Sequence, residues 1–508
     1  KMEMECLLLA AGSWLNGQNK IINFLIKNMR TCYFIIILFI CAASPGCRQE
    51  PDAHKLMDAI ELSFTDGDFT RMILLTDSLK IYLPEAGSAI RKADSLGDIS
   101  NRIRLDFVYS REQIAERIEN IAGPVSEDDL DGWENKKWLE YRMIDGKKRY
   151  FSRAASNLML LRGFYEDREG WIRAVSTDPD MIFRRKHTEK ILNLSHLSAK
   201  PVSPVDMFIT FTLTVQPDAV PAGEIVRCWI PWPKESHSRQ GTALLISASE
   251  PEYTIAPDSA VHRSIYMEKP AHEGEPAVFK VKYRYKSAGQ YFNLKNVKVL
   301  PYNTGSDLYR KYTSEQLPQI CFTENISKLA DSITGQGGDP VTMVKDIYRW
   351  FKENITWTGA LEYSTIPNIP EYVLSNLRGD CGMQTLLFMS MLRYKGIPVR
   401  WQSGWMVPPG AQNLHDWCEV YYEGIGWVPA DISYDLQSSD ITELREFYIS
   451  GIDSYRLIAN DGISGELIPS KKFLRSDPID FQRGEVEWKG GNLYYDQWDY
   501  EMEIEYIK

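Results

Sequence analysis

The spacing of apolar and polar positions divides this chain of 508 residues into three regions. From about 52 to 200, apolar residues recur at intervals of three and four, as in "HKLMDAIELSF" and "TRMILLTDSLKIYL", which predicts a mainly helical module. One stretch departs from that period. In "WLEYRMIDGKKRYF" the pair Asp145-Gly146 separates two alternating runs and predicts a β-hairpin with a type I′ turn. From about 203 to 300 the period becomes two. "MFITFTLTVQP" places Met207, Ile209, Phe211, Leu213 and Val215 on one face, and "FKVKYRYK" alternates Phe279, Val281, Tyr283 and Tyr285 with basic residues. Half-buried strands of this kind, separated by turns such as Pro221-Ala222-Gly223, predict a β-sandwich.

After about 305 the two patterns mix. Asp339-Pro340 can cap a helix that ends near Asn354, with Val344, Ile347, Trp350 and Phe351 on one face. The next helix, in "GDCGMQTLLFMSMLRYKGIP", leaves little polar surface and closes on Gly396 and Pro398, so it is expected to be buried and central. The alternating segments "VRWQSGWMV", "HDWCEVYY" and "GWVPADIS" follow. One central helix on an antiparallel sheet is an α+β domain. The expected layout is therefore upstream residues with a signal over 1–47, a helical module with its hairpin over 48–200, a sandwich over 201–304, and an α+β core over 305–508. That core takes in C-terminal strands around Gly490-Gly491.

The N-terminus adds a compartment. From Met29 the chain reads "MRTCYFIIILFICAASPGC", with a positive start, an apolar run over Tyr33–Ala43 and small residues before Cys47, which is the pattern of an export signal. Because the small residues end in a cysteine, it resembles a bacterial lipoprotein signal with Cys47 as the lipidated residue. Ser44-Pro45-Gly46 fits that pattern loosely, since leucine is usual at the first of these places. The apolar run is short of the ~20 residues a membrane span needs, and residues 1–28 are read as lying upstream of the true start.

Composition narrows the class only a little. At 44% hydrophobic and 25% charged residues the chain is ordinary for a globular protein, and it is too long for one core. A net charge of −11, with no basic stripe, argues against nucleic acid as the main partner. Cys6, Cys32, Cys41 and Cys47 fall in or before the signal. Cys228, Cys321, Cys381 and Cys418 are scattered without CxxC spacing, so neither a zinc site nor a disulfide scaffold is indicated.

Cys381 is the residue on which function turns. A cysteine at the first turn of a helix meets unpaired N–H groups and a positive dipole end, and an imidazole partner would activate it further. His415 is the only histidine after residue 272, so it is the only candidate base in this half of the chain. The imidazole needs a group to fix its tautomer. Asp431, on the next strand, is the best candidate, with Asp416 and Asp435 as runners-up; Asp416 points to the face opposite His415, which counts against it. A four-residue hairpin loop over Glu423–Gly426 would put Asp431 on the wrong face. A shared face demands an odd loop or a bulge, for which Gly424 and Gly426 are suited. Each residue also has an ordinary reading, an inert buried thiol for Cys381 and a structural histidine for His415. Cys418 lies on the opposite face from His415 and is assigned to the core.

The segments "GDCGMQTLLFMSMLRYKGIPVRW", "HDWCEVYYEGIGWVPADIS" and "FYISGIDSYRLIAN" resemble the bacterial transglutaminase-like superfamily, most closely over about 340–460. The resemblance implies a papain-like core, often preceded by a β-sandwich, with Cys381 as nucleophile, His415 as base and Asp431 behind it. It also implies an upstream aromatic oxyanion donor, for which Trp357 in "NITWTG" is the candidate, with core packing as its ordinary role. Six of the fourteen tryptophans lie between 350 and 427, enough for an aromatic cleft. The expectation is an exported, lipid-anchored cysteine enzyme that attacks peptide or protein amides through a Cys381 thioester, as peptidase, amidase or transglutaminase. The alternative is a surface module that binds peptide or glycan on the same fold without turnover. No calcium loop or cofactor motif is present in the sequence, and oligomeric state is left open.

Overall fold

A computed structural model describes residues 52–507 apart from 196, 197, 242, 336, 435, 437 and 438. The signal, Cys47 and Asp435 lie outside the described residues. Among those described, no helix is long and apolar enough to cross a membrane.

Helices run from Ala53 to Leu194, interrupted by the hairpin of Tyr141–Ile144 and Lys147–Phe151. Asp145 and Gly146 form its two-residue turn at φ 48° and 73°, both left-handed as a type I′ turn requires. Phe107–Tyr109 adds a third strand to it. The module is bonded to the segment that precedes the central helix: Asn157 exchanges two 2.8 Å hydrogen bonds with the Gly359 backbone, and Asp106 accepts from the Glu362 N–H at 3.0 Å.

The alternating stretch makes two antiparallel sheets. Val202–Val215 and Ala277–Tyr291 pair over most of their length in one, and Ile225–Pro231 pairs with Ser264–Pro270 in the other. Met207, Ile209, Phe211, Leu213 and Val215 are all buried against Phe279, Val281, Tyr283 and Tyr285. The C-terminal segment corrects the expected layout. Trp498–Ile507 pairs with Val202–Val215, and Glu485–Trp488 pairs with Ile225–Pro231, so these strands complete the sandwich and not the α+β core. Alternation fixes which face of a strand is apolar but not which sheet it joins. Val486, Trp498 and Met502 bury in the sandwich interior.

The α+β core is a four-stranded antiparallel sheet in the order Gly426–Ala430, Asn413–Tyr422, Val399–Met406, Arg456–Asn460. The Cys381–Tyr394 helix packs on one face, with Leu386, Leu387, Phe388 and Met391 against Val399, Trp401, Cys418, Val420, Val428 and Ala430. It ends as the sequence predicts, with Gly396 at φ 71° just beyond the C-cap Lys395. The opposite face of the sheet carries Trp417 with Ile452 and Ile458. Trp405, Val407, Leu457 and Ala459 join the sandwich interior, so the core and the sandwich share one apolar contact.

Candidate active site

Asp380 caps the central helix, accepting from the Met383 N–H at 3.1 Å, and Cys381 is the first helical residue. The helix end favours a thiolate, but the surroundings oppose it. Cys381 is buried and its thiol donates to Asp416 Oδ2 at 3.5 Å; among the described residues no hydrogen bond joins it to His415. Burial first, then the carboxylates of Asp416 and Asp380, push the thiol well above the ordinary cysteine range. Asp416 is itself buried, with Gln482 Nε2 donating to its Oδ1 at 2.7 Å. Burial and the neighbouring Asp380 raise it well above the carboxylate range. Gly382 makes this crowding possible. A Cβ there would lie 2.2 Å from Tyr363 Oη and 2.6 Å from Asp416 Oδ2. Tyr363 Oη in turn donates to Asp380 Oδ1 at 2.5 Å.

His415 and Asp431 share a face. Tyr421 opposes Trp427 and Tyr422 opposes Gly426, so a three-residue loop joins the strands and odd numbers oppose odd ones. Gly424 and Gly426 take φ of 83° and 103°, the left-handed values such a loop needs. His415 Nε2 lies 2.7 Å from Asp431 Oδ2, which also accepts from Arg456 Nη1 at 2.8 Å. Asp431 Oδ1 accepts from the Ser433 and Tyr434 N–H groups. Burial alone would raise Asp431, but His415 and Arg456 more than offset it and hold the carboxylate well below its usual range. Burial lowers the His415 pKa and Arg456 lowers it further, against the opposing pull of Asp431. The resting pair is therefore a neutral thiol and a neutral imidazole. An imidazole with Nε2–H fixed on a carboxylate presents Nδ1 as a proton acceptor, the arrangement of a general base.

The other predicted residues fall elsewhere. Trp357 lies on a two-residue strand parallel to Arg378–Gly379, opposite Gly379, with its side chain 44% exposed. That places its backbone beside the nucleophile, and the indole makes no hydrogen bond among the described residues. Cys418 is fully buried and donates to the Ala430 carbonyl at 3.4 Å. Asp416, set aside as a partner for His415, touches the thiol instead: the face opposite His415 is the one on which the central helix packs.

Three further residues carry no assignment in the sequence reading. Arg456 is fully buried, bridges Asp431 to Asp453 and lies over the Tyr434 ring at 4.3 Å. A lone cation in the otherwise apolar "YRLIA" was the available signal. Tyr363 belongs to the loop before the nucleophile. Gln482 belongs to the C-terminal segment and also donates to the His415 carbonyl at 2.9 Å. Nothing in its local pattern points to the site.

These shifted groups set a stability profile. Asp106 is raised to about 7 by burial and Glu362, and Asp416 and Asp480 are raised well above the carboxylate range, so the folded state holds protons that the unfolded chain releases. Each stabilises at low pH and loses that contribution as pH rises through its folded value. Below about pH 6.5 the lowered His187, His262 and His415 pull the other way, because the unfolded chain then binds the extra protons. Above it the raised carboxyls and buried thiols act, opposed by Lys471, which burial lowers from the usual lysine range. Thermal unfolding followed from pH 6.5 to 8.5 should show a falling midpoint; a flat or rising one would contradict these assignments.

Comparison with known proteins agrees at the level of the family. Residues 327–432 match the model of the transglutaminase-like superfamily core. The chain thus carries a transglutaminase-like domain, and the match spans Cys381, His415 and Asp431. Among solved structures it is similar to a candidate cysteine protease from Cytophaga hutchinsonii, with a TM-score of 0.41 and 14% identity, over 60% of this chain and 91% of that one. It is also similar to the periplasmic domain of TgpA from Pseudomonas aeruginosa, with a TM-score of 0.24 and 14% identity, over 46% of this chain and 88% of that one. A candidate protease from Parabacteroides distasonis gives a TM-score of 0.17 and 10% identity, over 45% of this chain and 67% of that one. No curated protein matches the chain.

Proposed function

We propose that the protein is an exported cysteine-dependent acyl-transfer enzyme acting on amide bonds of peptides or proteins. The observation that carries this reading is the buried His415–Asp431 pair at 2.7 Å, with the residue after His415, Asp416, holding the thiol of Cys381. At rest the thiol lies on Asp416, on the helix-packed face, and His415 lies on the other face of the same strand. The reaction therefore requires a rearrangement on substrate binding that brings Sγ to Nδ1, to which the thiol gives its proton. The sulfur attacks the carbonyl carbon, with the Cys381 main-chain N–H facing the developing oxyanion and Trp357 as a second candidate donor. The amine leaves with the proton from His415, and a thioester remains on Cys381. Water, deprotonated by the same imidazole, then releases the acid and restores the thiol. An amine in place of water would give transamidation. Hydrolysis is favoured because no amine-binding site is identified. Asp431 stays ionised throughout and holds the imidazolium. Export and anchoring to a membrane through a lipid on Cys47 rest on the N-terminal sequence pattern.

A second reading, a module that holds a peptide or glycan without turnover, has two observations in its favour. The thiol is buried and bonded to a carboxyl, and His415 lies on the face of its strand turned away from the helix that carries Cys381. A thiol-directed acyl-amide probe separates the two. Wild type and Cys418→Ala should label equally and Cys381→Ala not at all. Labelling that survives Cys381→Ala, or is lost only with Cys418→Ala, would overturn the assignment, and an unlabelled wild type would favour the binding module.

A further inference from the structure

We infer that the Pro179–Leu194 helix of the N-terminal module builds a carboxylate-binding subsite beside His415 and Asp431, so that the preferred substrate carries a carboxylate close to the amide attacked. This rests on the proposed amide chemistry for its role, but not for its binding.

The site is a small cavity of about 90 Å³ between that helix and the core, with Phe183, Arg184, His187, Met406, Tyr434 and Tyr455 among its walls. Tyr434 links it to the dyad, since its ring lies 5.2 Å from that of His415. Two guanidinium groups stack on Tyr434, Arg456 at 4.3 Å and Arg184 at 3.3 Å from the ring centre. They differ in one respect. Arg456 is neutralised by Asp431 and Asp453. Arg184 has no carboxylate within ion-pair distance among the described residues, and its Nε is buried without a hydrogen-bond partner. Arg184 is half-buried, with a buried and unpartnered Nε, so it has donor capacity left for an anion entering the cavity.

The remaining polar groups of the lining do not fill that role. Asp453 is engaged by Arg456, Tyr448 and the Tyr455 N–H. His187 accepts from the Ser454 N–H at 3.2 Å, and burial lowers its pKa. Asp180 is exposed to solvent and makes no ion pair with Arg184. The ring of Tyr434 fixes the guanidinium plane in advance, which suits a planar, two-point contact with a carboxylate. A cavity of this size takes a carboxylate on a short stem. That group could come from an acidic side chain or from a peptide C-terminus.

The test reads binding without turnover. Calorimetry on Cys381→Ala protein compares acetyl-Ala-Glu-Ala-amide, acetyl-Ala-Gln-Ala-amide and acetyl-Ala-Gln-Ala with a free terminal acid. At least one acid peptide should bind about tenfold or more tightly than the neutral one, and which one identifies the source of the carboxylate. Arg184→Gln in the same background should remove the difference and Arg184→Lys should restore part of it. Equal affinity of all three peptides, no measurable binding of either acid peptide, or a preference that survives Arg184→Gln would overturn the subsite. If Arg184→Gln does not fold, the acid-against-amide comparison on Cys381→Ala alone decides. Selective binding with no turnover by wild type would sink the enzyme reading and leave the subsite standing.

Discussion

Asp431→Asn is expected to lower kcat/KM on an amide substrate by about three to four orders of magnitude, the scale set by the equivalent change in serine-protease triads. The reason lies in the number of donors around this carboxylate. Oδ2 accepts from His415 and Arg456, and Oδ1 accepts from the Ser433 and Tyr434 N–H groups. An amide NH2 in either position faces donors. At the Oδ1 position it opposes two backbone N–H groups. At the Oδ2 position it opposes Arg456 and can satisfy His415 only by donating to Nε2, which forces the proton onto Nδ1 and removes the base. The variant also leaves the buried Arg456 short of one anion, a defect that typically costs about 3–5 kcal/mol when a buried pair is broken. Chemical denaturation should show that loss alongside the kinetic one. Combining Asp431→Ala with Arg456→Met should recover part of the stability and none of the activity, which separates the tautomer argument from simple unfolding. Near-wild-type turnover by Asp431→Asn would remove Asp431 from the mechanism.

Much of this arrangement was legible because β-strand periodicity is strict. His415 and Asp431 can share a face only across an odd loop, and two glycines in "EGIG" made that loop available. The capped Pro340–Asn354 helix and the buried central helix were equally legible, each from a pattern that local physics decides: a Pro after Asp, a Gly beyond an apolar run. The C-terminal strands were legible as strands but not as parts of the sandwich. Their partners lie more than 250 residues away, and no local preference encodes a pairing at that separation.

The site shows the same division. Parity correctly puts Asp416 on the face opposite His415, yet its importance comes from what covers that face. Cys418, Val420 and Tyr422 on the same side are core residues, so a carboxyl in that row is a buried acid in an apolar interface. The anomaly was visible in "HDWCEVYY" once the central helix was assigned to that face. Gln482 and Arg184 were not visible in any comparable way. Each reaches the site from a separate module, and their roles depend on packing between modules and not on the residues beside them.

Removing the Asp416 carboxyl should make the Cys381 thiol more reactive. Asp416 accepts from the thiol at 3.5 Å, and when ionised it opposes, with Asp380, the negative charge of a thiolate. Burial is the larger restraint and stays in place in Asp416→Ala, so the thiol pKa falls but not to the value of an exposed cysteine. A fall of one unit raises the thiolate fraction at neutral pH about tenfold. Iodoacetamide alkylation at pH 7, with Cys381→Ala as the blank, should therefore accelerate, by about tenfold for each unit the thiol falls, and the pH profile of the rate should move to lower pH. Asp416→Asn keeps a group of the same size beside Gly382 but cannot ionise, so its effect on alkylation should grow as pH rises and the buried Asp416 of the wild type loses its proton. If both variants alkylate no faster than wild type, Asp416 does not restrain the thiol and burial by the central helix and the Tyr363 loop accounts for its inertness. If they alkylate faster but turn over substrate more slowly, Asp416 holds the thiol safe at rest and also positions it for His415. That outcome is the one expected from its two places in the structure, on the sulfur through Oδ2 and on Gln482 through Oδ1.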